Sequence, residues 1–321
     1  MQMSSASTRK SRMVLREDGL TLTVNDTARD PQGTFAVDHV GYLVPVADFD
    51  GAVHSVFGRA CNFACGDSLL TLVAHELADG PTTLRLEPGA VADLRLMLRP
   101  GDGLRCRDGV ASAAGVKIRL AGAAIWRPAM PRATVSTRQL DANLRFAAAA
   151  LERRRRKHSS VIDREGGGTL AGLVLACRNL DVGPMVVQVE QLIGWGEGLT
   201  PAGDDVLIGL RAALDVLADG RADRTLFLRG LSGAMAARTS RTTPIAAHCL
   251  RLATRGHFSA DVTDLRNALV GERDRAVVAA ALDCALDAGA TSGADMVTGL
   301  LCGFSAWSRA EADGGCELLP S

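Results

Sequence analysis

An α+β fold is expected: a small N-terminal β barrel or sandwich over residues 34–130, then an α-helical bundle over 131–321, behind a flexible tail at 1–33. Three observations lead there. From Val53 to about Trp126 the apolar residues alternate in short runs broken by turn chemistry, the period of half-buried strands. Beyond Pro128 and Pro131 the apolar period becomes helical and stays so. Aromatics make up 4% of a chain that is 47% hydrophobic, so the core must be built from Ala, Leu and Val, which suits close-packed helices and short strands.

In chain order, the expected strands are Leu69–Val73, Leu84–Leu86, Leu94–Leu98 and Val116–Leu120. Asp79-Gly80-Pro81, Glu87-Pro88-Gly89 and Arg99-Pro100-Gly101-Asp102-Gly103 separate them and supply the fixed and positive φ angles of tight turns. Leu140, Leu144, Ala147 and Leu151 then mark one face of a helix that Ser136 can cap and that ends in the basic run Arg153–His158. The run is read as solvated cations at a helix C-terminus, favourable against the macrodipole. Further helical patterns occupy about 170–177, 184–193, 205–218, 225–237, 245–255, 262–269, 273–286 and 296–307.

The charge balance is even, 36 Lys+Arg against 36 Asp+Glu in 321 residues, so no global field selects a polyanion and a dedicated nucleic-acid binder is disfavoured. The eight cysteines contain no CxxC pair; they are read as reduced, with Cys177, Cys284 and Cys302 as small core residues. Cys61 and Cys65 lack a second pair at zinc-ligand spacing. The polar N-terminus offers no signal-peptide apolar stretch of roughly 7–15 residues. No run approaches the ~18 apolar residues of a membrane helix. A cytoplasmic protein is therefore expected.

The densest unusual segment is Gly194-Trp195-Gly196-Glu197-Gly198-Leu199-Thr200-Pro201-Ala202-Gly203-Asp204-Asp205. Connectors between bundle helices do not need this much glycine. A glycine loop opening a helix suits an anion, which the adjacent aspartates oppose unless a divalent cation such as magnesium lies between them. The alternative is plain capping, with acids favouring the positive helix end. Gly289–Leu300 repeats the arrangement: both segments read Gly-x-Thr and then Gly-x-Asp-x-x-x-Gly, through Gly203, Asp205, Gly209 and through Gly293, Asp295, Gly299. The two loops are expected to face one another across a single pocket. Between them, Arg238-Thr239-Ser240-Arg241-Thr242-Thr243-Pro244 suits a phosphate or carboxylate, or else is a simple N-cap with proline at the first helical position. His248 and His257 are too far apart to share a helix face and are read as surface or packed residues. No P-loop, Rossmann fingerprint, GxSxG or HExxH is present, and no organic cofactor is implied.

Through Gly198-Leu199-Thr200-Pro201-Ala202-Gly203-Asp204-Asp205, Arg241-Thr242-Thr243 and Gly289-Ala290-Thr291-Ser292-Gly293-Ala294-Asp295, the chain resembles the AllH family. The resemblance runs from about Val53 to Phe304 and takes in Asn62 and Gly80-Pro81. It implies one subunit of a carbamoyltransferase assembly, working with other protein subunits on a small anionic substrate with carbamoyl phosphate or phosphate. The family's namesake belongs to an enzyme that converts oxalurate and phosphate into oxamate and carbamoyl phosphate. On that reading Gly198, Thr200 and Gly203 form an anion loop, and Asp204 and Asp205 meet a metal or the substrate nitrogen. Arg241, Thr242 and Thr243 hold phosphate or carboxylate, while Thr291, Gly293 and Asp295 form the opposite rim. A non-catalytic assembly or metabolite-sensing subunit and a stand-alone metal-assisted hydrolase are the alternatives.

Overall fold

The computed structural model describes residues 12–14, 22–24, 34–90, 93–130, 136–218 and 220–308. The tail expected at 1–33 lies outside them, apart from a short antiparallel ladder of β1 (Arg12–Val14) with β2 (Leu22–Val24). The chain divides into two compact units at Arg127/Pro128.

The first unit is a closed β barrel. Its strands are β3 (Thr34–Gly41), β4 (Phe49–Val56), β5 (Ala60–Cys65), β6 (Ser68–Val73), β7 (Thr83–Leu86), β8 (Gly103–Arg107), β9 (Val110–Ala113) and β10 (Val116–Arg119). They run in the order β10-β9-β8-β4-β5-β6-β7-β3, and β10 returns to pair in parallel with β3 through Ile118↔Phe35, which closes the ring. β11 (Ala124–Trp126) extends the same edge of β3 at His39–Gly41. Alternation fills the interior: Leu104 and Cys106 of β8, and Val116 and Ile118 of β10, point inward with Phe63, Leu70, Leu72, Leu84 and Leu86.

β3 and β4 are not among the expected strands, because β3 and the first half of β4 interleave polar and small residues that a hydropathy period does not register. The strand expected at Leu94–Leu98 is instead a 3-10 turn over Leu94–Leu96, capped by Asp93, whose carboxylate accepts from the Arg95 N–H at 3.0 Å. Leu94 and Leu98 are buried, whereas Leu96 between them is exposed, a spacing of one helical turn. A bulge between Val37 and His39 breaks the register of β3 against β7. Arg85 there bridges Asp38 and Asp79, and each of these carboxylates also takes a histidine Nδ1, from His75 at 3.1 Å and from His39 at 2.8 Å.

The second unit is helical, with ten α-helices among the described residues: α1 (Thr137–Arg155), α2 (Val161–Glu165), α3 (Gly167–Asn179), α4 (Val182–Leu192), α5 (Ala202–Leu217), α6 (Ala222–Ala236), α7 (Pro244–Thr254), α8 (Ala260–Gly271), α9 (Arg275–Leu286) and α10 (Ser292–Trp307). Ser136 caps α1 by accepting from Gln139 N, and Leu140, Leu144, Ala147 and Leu151 are buried as expected. α2 has no counterpart in the sequence-derived pattern. The seven described cysteines are free thiols; Cys177 and Cys302 are buried, but Cys284 is exposed on α9 rather than in the core, and Cys316 lies outside the described residues. Among the described residues no helix is long and apolar enough to cross a membrane.

At the centre α5 and α10 run side by side in the same direction. A Cβ on Gly209 would fall 2.0 Å from Met296 O, and one on Gly299 would fall 1.9 Å from Val206 O. One turn further along, a Cβ on Gly303 would meet the Ala213 Cβ at 2.7 Å. The contacts are reciprocal under a shift of about ninety residues, so the two halves of the sequence repeat are related by a local two-fold axis along the pair. Small residues at this spacing let the two backbones touch, the same geometry that small-xxx-small patterns give elsewhere.

Gly299→Ala should therefore destabilise the protein by about 3 kcal/mol, the upper end of overpacking penalties, because the obstructing atom is backbone. Gly233→Ala in α6, where nothing lies within 4 Å of an added Cβ, should stabilise by up to about 1 kcal/mol. Urea denaturation of both variants checks the contrast.

Candidate functional site

The parallel pairing of α5 and α10 brings both helix N-termini, and both glycine-acid loops, to one end of the helical unit. The loops touch through a hydrogen bond between the Thr200 and Ser292 hydroxyls at 2.8 Å, ninety-two residues apart in sequence. The two loops expected from the repeat to face one another are thus in contact. Gly203 and Gly293 have equivalent roles, for each abuts a carbonyl of the preceding helix, Leu192 and Ala285, at 2.0 and 2.1 Å from an ideal Cβ.

The three aspartates differ in what holds them. Asp204 is fully buried, and both its oxygens are committed: Oδ1 accepts from Gly194 N at 3.0 Å and Oδ2 from the Thr242 hydroxyl. It pins the loop entrance, where Gly194 has a φ of +75° and lies against Arg241 O. Asp205 is 7% exposed and hydrogen-bonds to the Ser292 and Thr200 hydroxyls through one oxygen, while its Oδ2 is buried without a partner. Asp295 is 1% exposed; its Oδ1 accepts from Ser160 Oγ at 2.6 Å and the carboxyl also takes a hydrogen bond from the Thr291 hydroxyl, while its Oδ2 is likewise without a partner. Burial raises all three carboxyls. For Asp204 the Thr242 and Gly194 hydrogen bonds oppose the rise. Asp205 goes well up, with Asp295 and Asp204 adding to desolvation. Asp295 is pushed to about 7 by burial and by Asp163, against the Ser160 hydrogen bond and Arg155.

The third segment joins as scaffold. Thr243 caps α7, its hydroxyl accepting from Ala246 N at 3.1 Å and donating to Leu199 O at 2.5 Å, with Pro244 in the first turn. Thr242 is tied to Asp204. Arg241 is exposed beside them. Several backbone N–H groups at the base of the loops are engaged internally: Gly203 N with Trp195 O at 2.9 Å, Asp204 N with Pro201 O at 2.9 Å, and Gly293 N with Ala288 O at 2.8 Å. Glu197 and Gly198 lie exposed at the loop tip, and Thr291 stands at the N-cap position of α10 without a side-chain capping bond. His248 is buried, which lowers its pKa to about 4. Among the described residues no three His, Cys, Asp or Glu side chains converge as metal ligands. With Asp204 already satisfied on both oxygens, the expected magnesium would have Asp205 alone of the proposed pair. That donor set does not make a hard-cation cage, and no step below is routed through a cation.

One part of the site escaped the sequence reading. Arg155 is not a solvated cation at the end of α1: its side chain is 12% exposed and pairs with Asp163 at 2.6 Å, Glu152 at 3.0 Å and the Thr298 hydroxyl at 2.8 Å. Asp163 in turn accepts from Ser160 N at 2.9 Å, so Arg155, Asp163 and Ser160 form a buttress behind Asp295. The Ser160-x-x-Asp163 spacing, a capping-box variant, was the available signal for α2, although not for its contact with α10. An open cleft of about 460 Å³ on the barrel, lined by Asp50, Gly51, Arg105 and Ser112 among others, contains none of the sequence-predicted residues.

Asp295 titrates well above the ordinary carboxyl value in the folded chain, so the folded state binds the extra proton between about pH 4 and about pH 7. Its contribution is therefore complete in acid and is lost as pH rises through that window. Asp295→Asn should flatten this part of the stability profile; urea melts of both proteins at about pH 5 and pH 7.5 check it, and parallel profiles would contradict it.

Comparison with known proteins bears on both units. A family model described as oxamate carbamoyltransferase subunit AllH matches residues 192–304, and one described as the AllH family N-terminal domain matches residues 40–125. No curated protein and no solved structure matches the chain. The first match spans both glycine-acid loops and the Arg238–Pro244 segment, the second most of the barrel, and together they cover more than half of the chain, in the order in which the two units follow one another. The chain belongs to the AllH family.

Proposed function

We propose that the chain is a subunit of a carbamoyltransferase assembly and that its paired loops bind a small anionic substrate together with phosphate or carbamoyl phosphate. The observation that carries this reading is the meeting of Gly194–Asp205 and Thr291–Asp295 at two buried carboxyls, Asp205 and Asp295, each with an oxygen lacking a partner, while Arg238–Pro244 is tied through Thr242 to the neighbouring Asp204. Family membership supports it independently.

The chemistry asked of such a site is modest. When phosphate attacks the carbamoyl carbon of an oxalurate-like substrate, the carbon–nitrogen bond breaks, and the departing oxamate nitrogen takes up a proton. A carboxyl held near neutral pH is suited to that exchange, and Asp295 is one. Asp205 shares the role from the opposing helix, whereas Asp204 holds the loop. The positive ends of two parallel helices favour a phosphate or carboxylate nearby, and the exposed Arg241 supplies a guanidinium for it. Neither a serine or cysteine nucleophile with a base nor a bound cofactor is needed, and completion of the site by other subunits in the cytoplasm is part of the proposal.

A second reading, an assembly or metabolite-sensing subunit, is favoured by the internal engagement of the Gly203, Asp204 and Gly293 N–H groups and by Leu199, exposed at the loop tip. Calorimetric titration separates the two. Phosphate and carbamoyl phosphate should bind the full chain weakly, with or without magnesium, and Arg241→Ala should weaken that binding by about 1.5–3 kcal/mol, a charge-assisted hydrogen bond. Turnover should require the partner subunits. Absence of binding by every anion would favour the assembly reading, and rapid turnover by the lone chain would favour a stand-alone enzyme.

A further inference from the structure

We propose that Asp205 and Asp295 together form the subsite for the neutral N–H end of the substrate, a primary amide or carbamoyl –NH2 group, reached by parting the Thr200–Ser292 hydroxyl bridge. The inference rests on the function proposed above and assigns one end of its substrate.

Three observations carry it. The Oδ2 atoms of Asp205 and Asp295 are buried polar atoms without partners, in residues more than nine-tenths buried. Buried polar atoms are nearly always satisfied, so each of these calls for a partner. Their placement is shared: each aspartate lies four residues before the glycine that touches the opposite helix, Gly209 or Gly299, and so lies on the inner face of its helix, one turn nearer the N-terminal end. The bridge lies against Asp205, for the Thr200 and Ser292 hydroxyls bond each other at 2.8 Å and also bond that carboxyl.

The chemistry of the missing partner follows by comparison. A carboxylate or phosphate placed here would face two buried acids. A cation would find no third ligating side chain among the described residues, and Asp204 has no oxygen to spare. A primary amide offers N–H donors to an ionised carboxyl and a carbonyl oxygen to a protonated one, and brings no charge into a desolvated space. The anionic end of the same molecule is then left toward the exposed Arg241.

Oxamate and oxalate differ at this point alone, since one carries –NH2 where the other carries a second carboxylate. In equilibrium titrations of the full chain, oxamate should bind at least about tenfold more tightly than oxalate, because a site built for an N–H group rejects an analogue that lacks it. Asp205→Asn, with its helical circular dichroism intact, should bring the two ligands close to equal affinity. Equal affinities in the native chain, or an unchanged preference in folded Asp205→Asn, would overturn the subsite and leave the proposed function standing. Binding of neither oxamate nor phosphate nor carbamoyl phosphate would overturn both. The native-chain comparison decides the matter even if the variant does not fold.

Discussion

The approach of α5 to α10 through Gly209 and Gly299 is the contact on which the rest of the helical unit depends. With a side chain at either position the backbones would have to separate, because the nearest atoms are carbonyl oxygens about 2 Å from where a Cβ would sit. Close parallel packing has an electrostatic consequence. Two helix dipoles lie side by side with their positive ends together, a repulsive arrangement that acidic residues in the first turn relieve. Asp204, Asp205 and Asp295 occupy those first turns. The same packing buries them, so the field that favours their ionised forms competes with desolvation, and desolvation prevails.

Each acid is managed differently within that shared constraint. Asp204 is satisfied from its own loop and from Thr242, and behaves as a fastener. Asp205 is held from both loops by hydroxyls, and Asp295 is backed by Ser160, Asp163 and Arg155. The two that keep an unpartnered oxygen are the two related by the local symmetry. Positioning by satisfied neighbours and reactivity at a single open atom are what a site needs when electrostatics rather than a protein nucleophile does the chemistry.

Much of this was legible in the sequence, for definite reasons. The Gly-x-Asp-x-x-x-Gly repeat is local, and glycine at that spacing has few uses other than close approach, so the pairing of the two loops could be read without coordinates. The face Leu140, Leu144, Ala147 and Leu151 carries its own period. Leu94–Leu98 misled because alternating leucines look like a strand until one of them proves to be exposed. The early barrel strands were hidden by their small and polar residues. Arg155 was misread because its partners arise from tertiary contact: Thr298 lies 143 residues away, and nothing in a basic run says which member turns inward. The glycine loops suggested free N–H donors, but whether such donors are already used depends on loop geometry that composition does not reveal.

The central claim is that the two loops meet at the N-terminal ends of a parallel helix pair, and a designed cross-link tests it most directly. Thr200→Cys combined with Ser292→Cys replaces two hydroxyls 2.8 Å apart with two thiols, within reach of a disulfide after small side-chain adjustment. Under mild oxidation the double variant should form an intramolecular 200–292 disulfide in high yield, found as a single linked peptide by mass spectrometry, and neither single variant should give it. Failure to cross-link in the folded monomer, or linkage between chains alone, would place the loops apart and contradict the account.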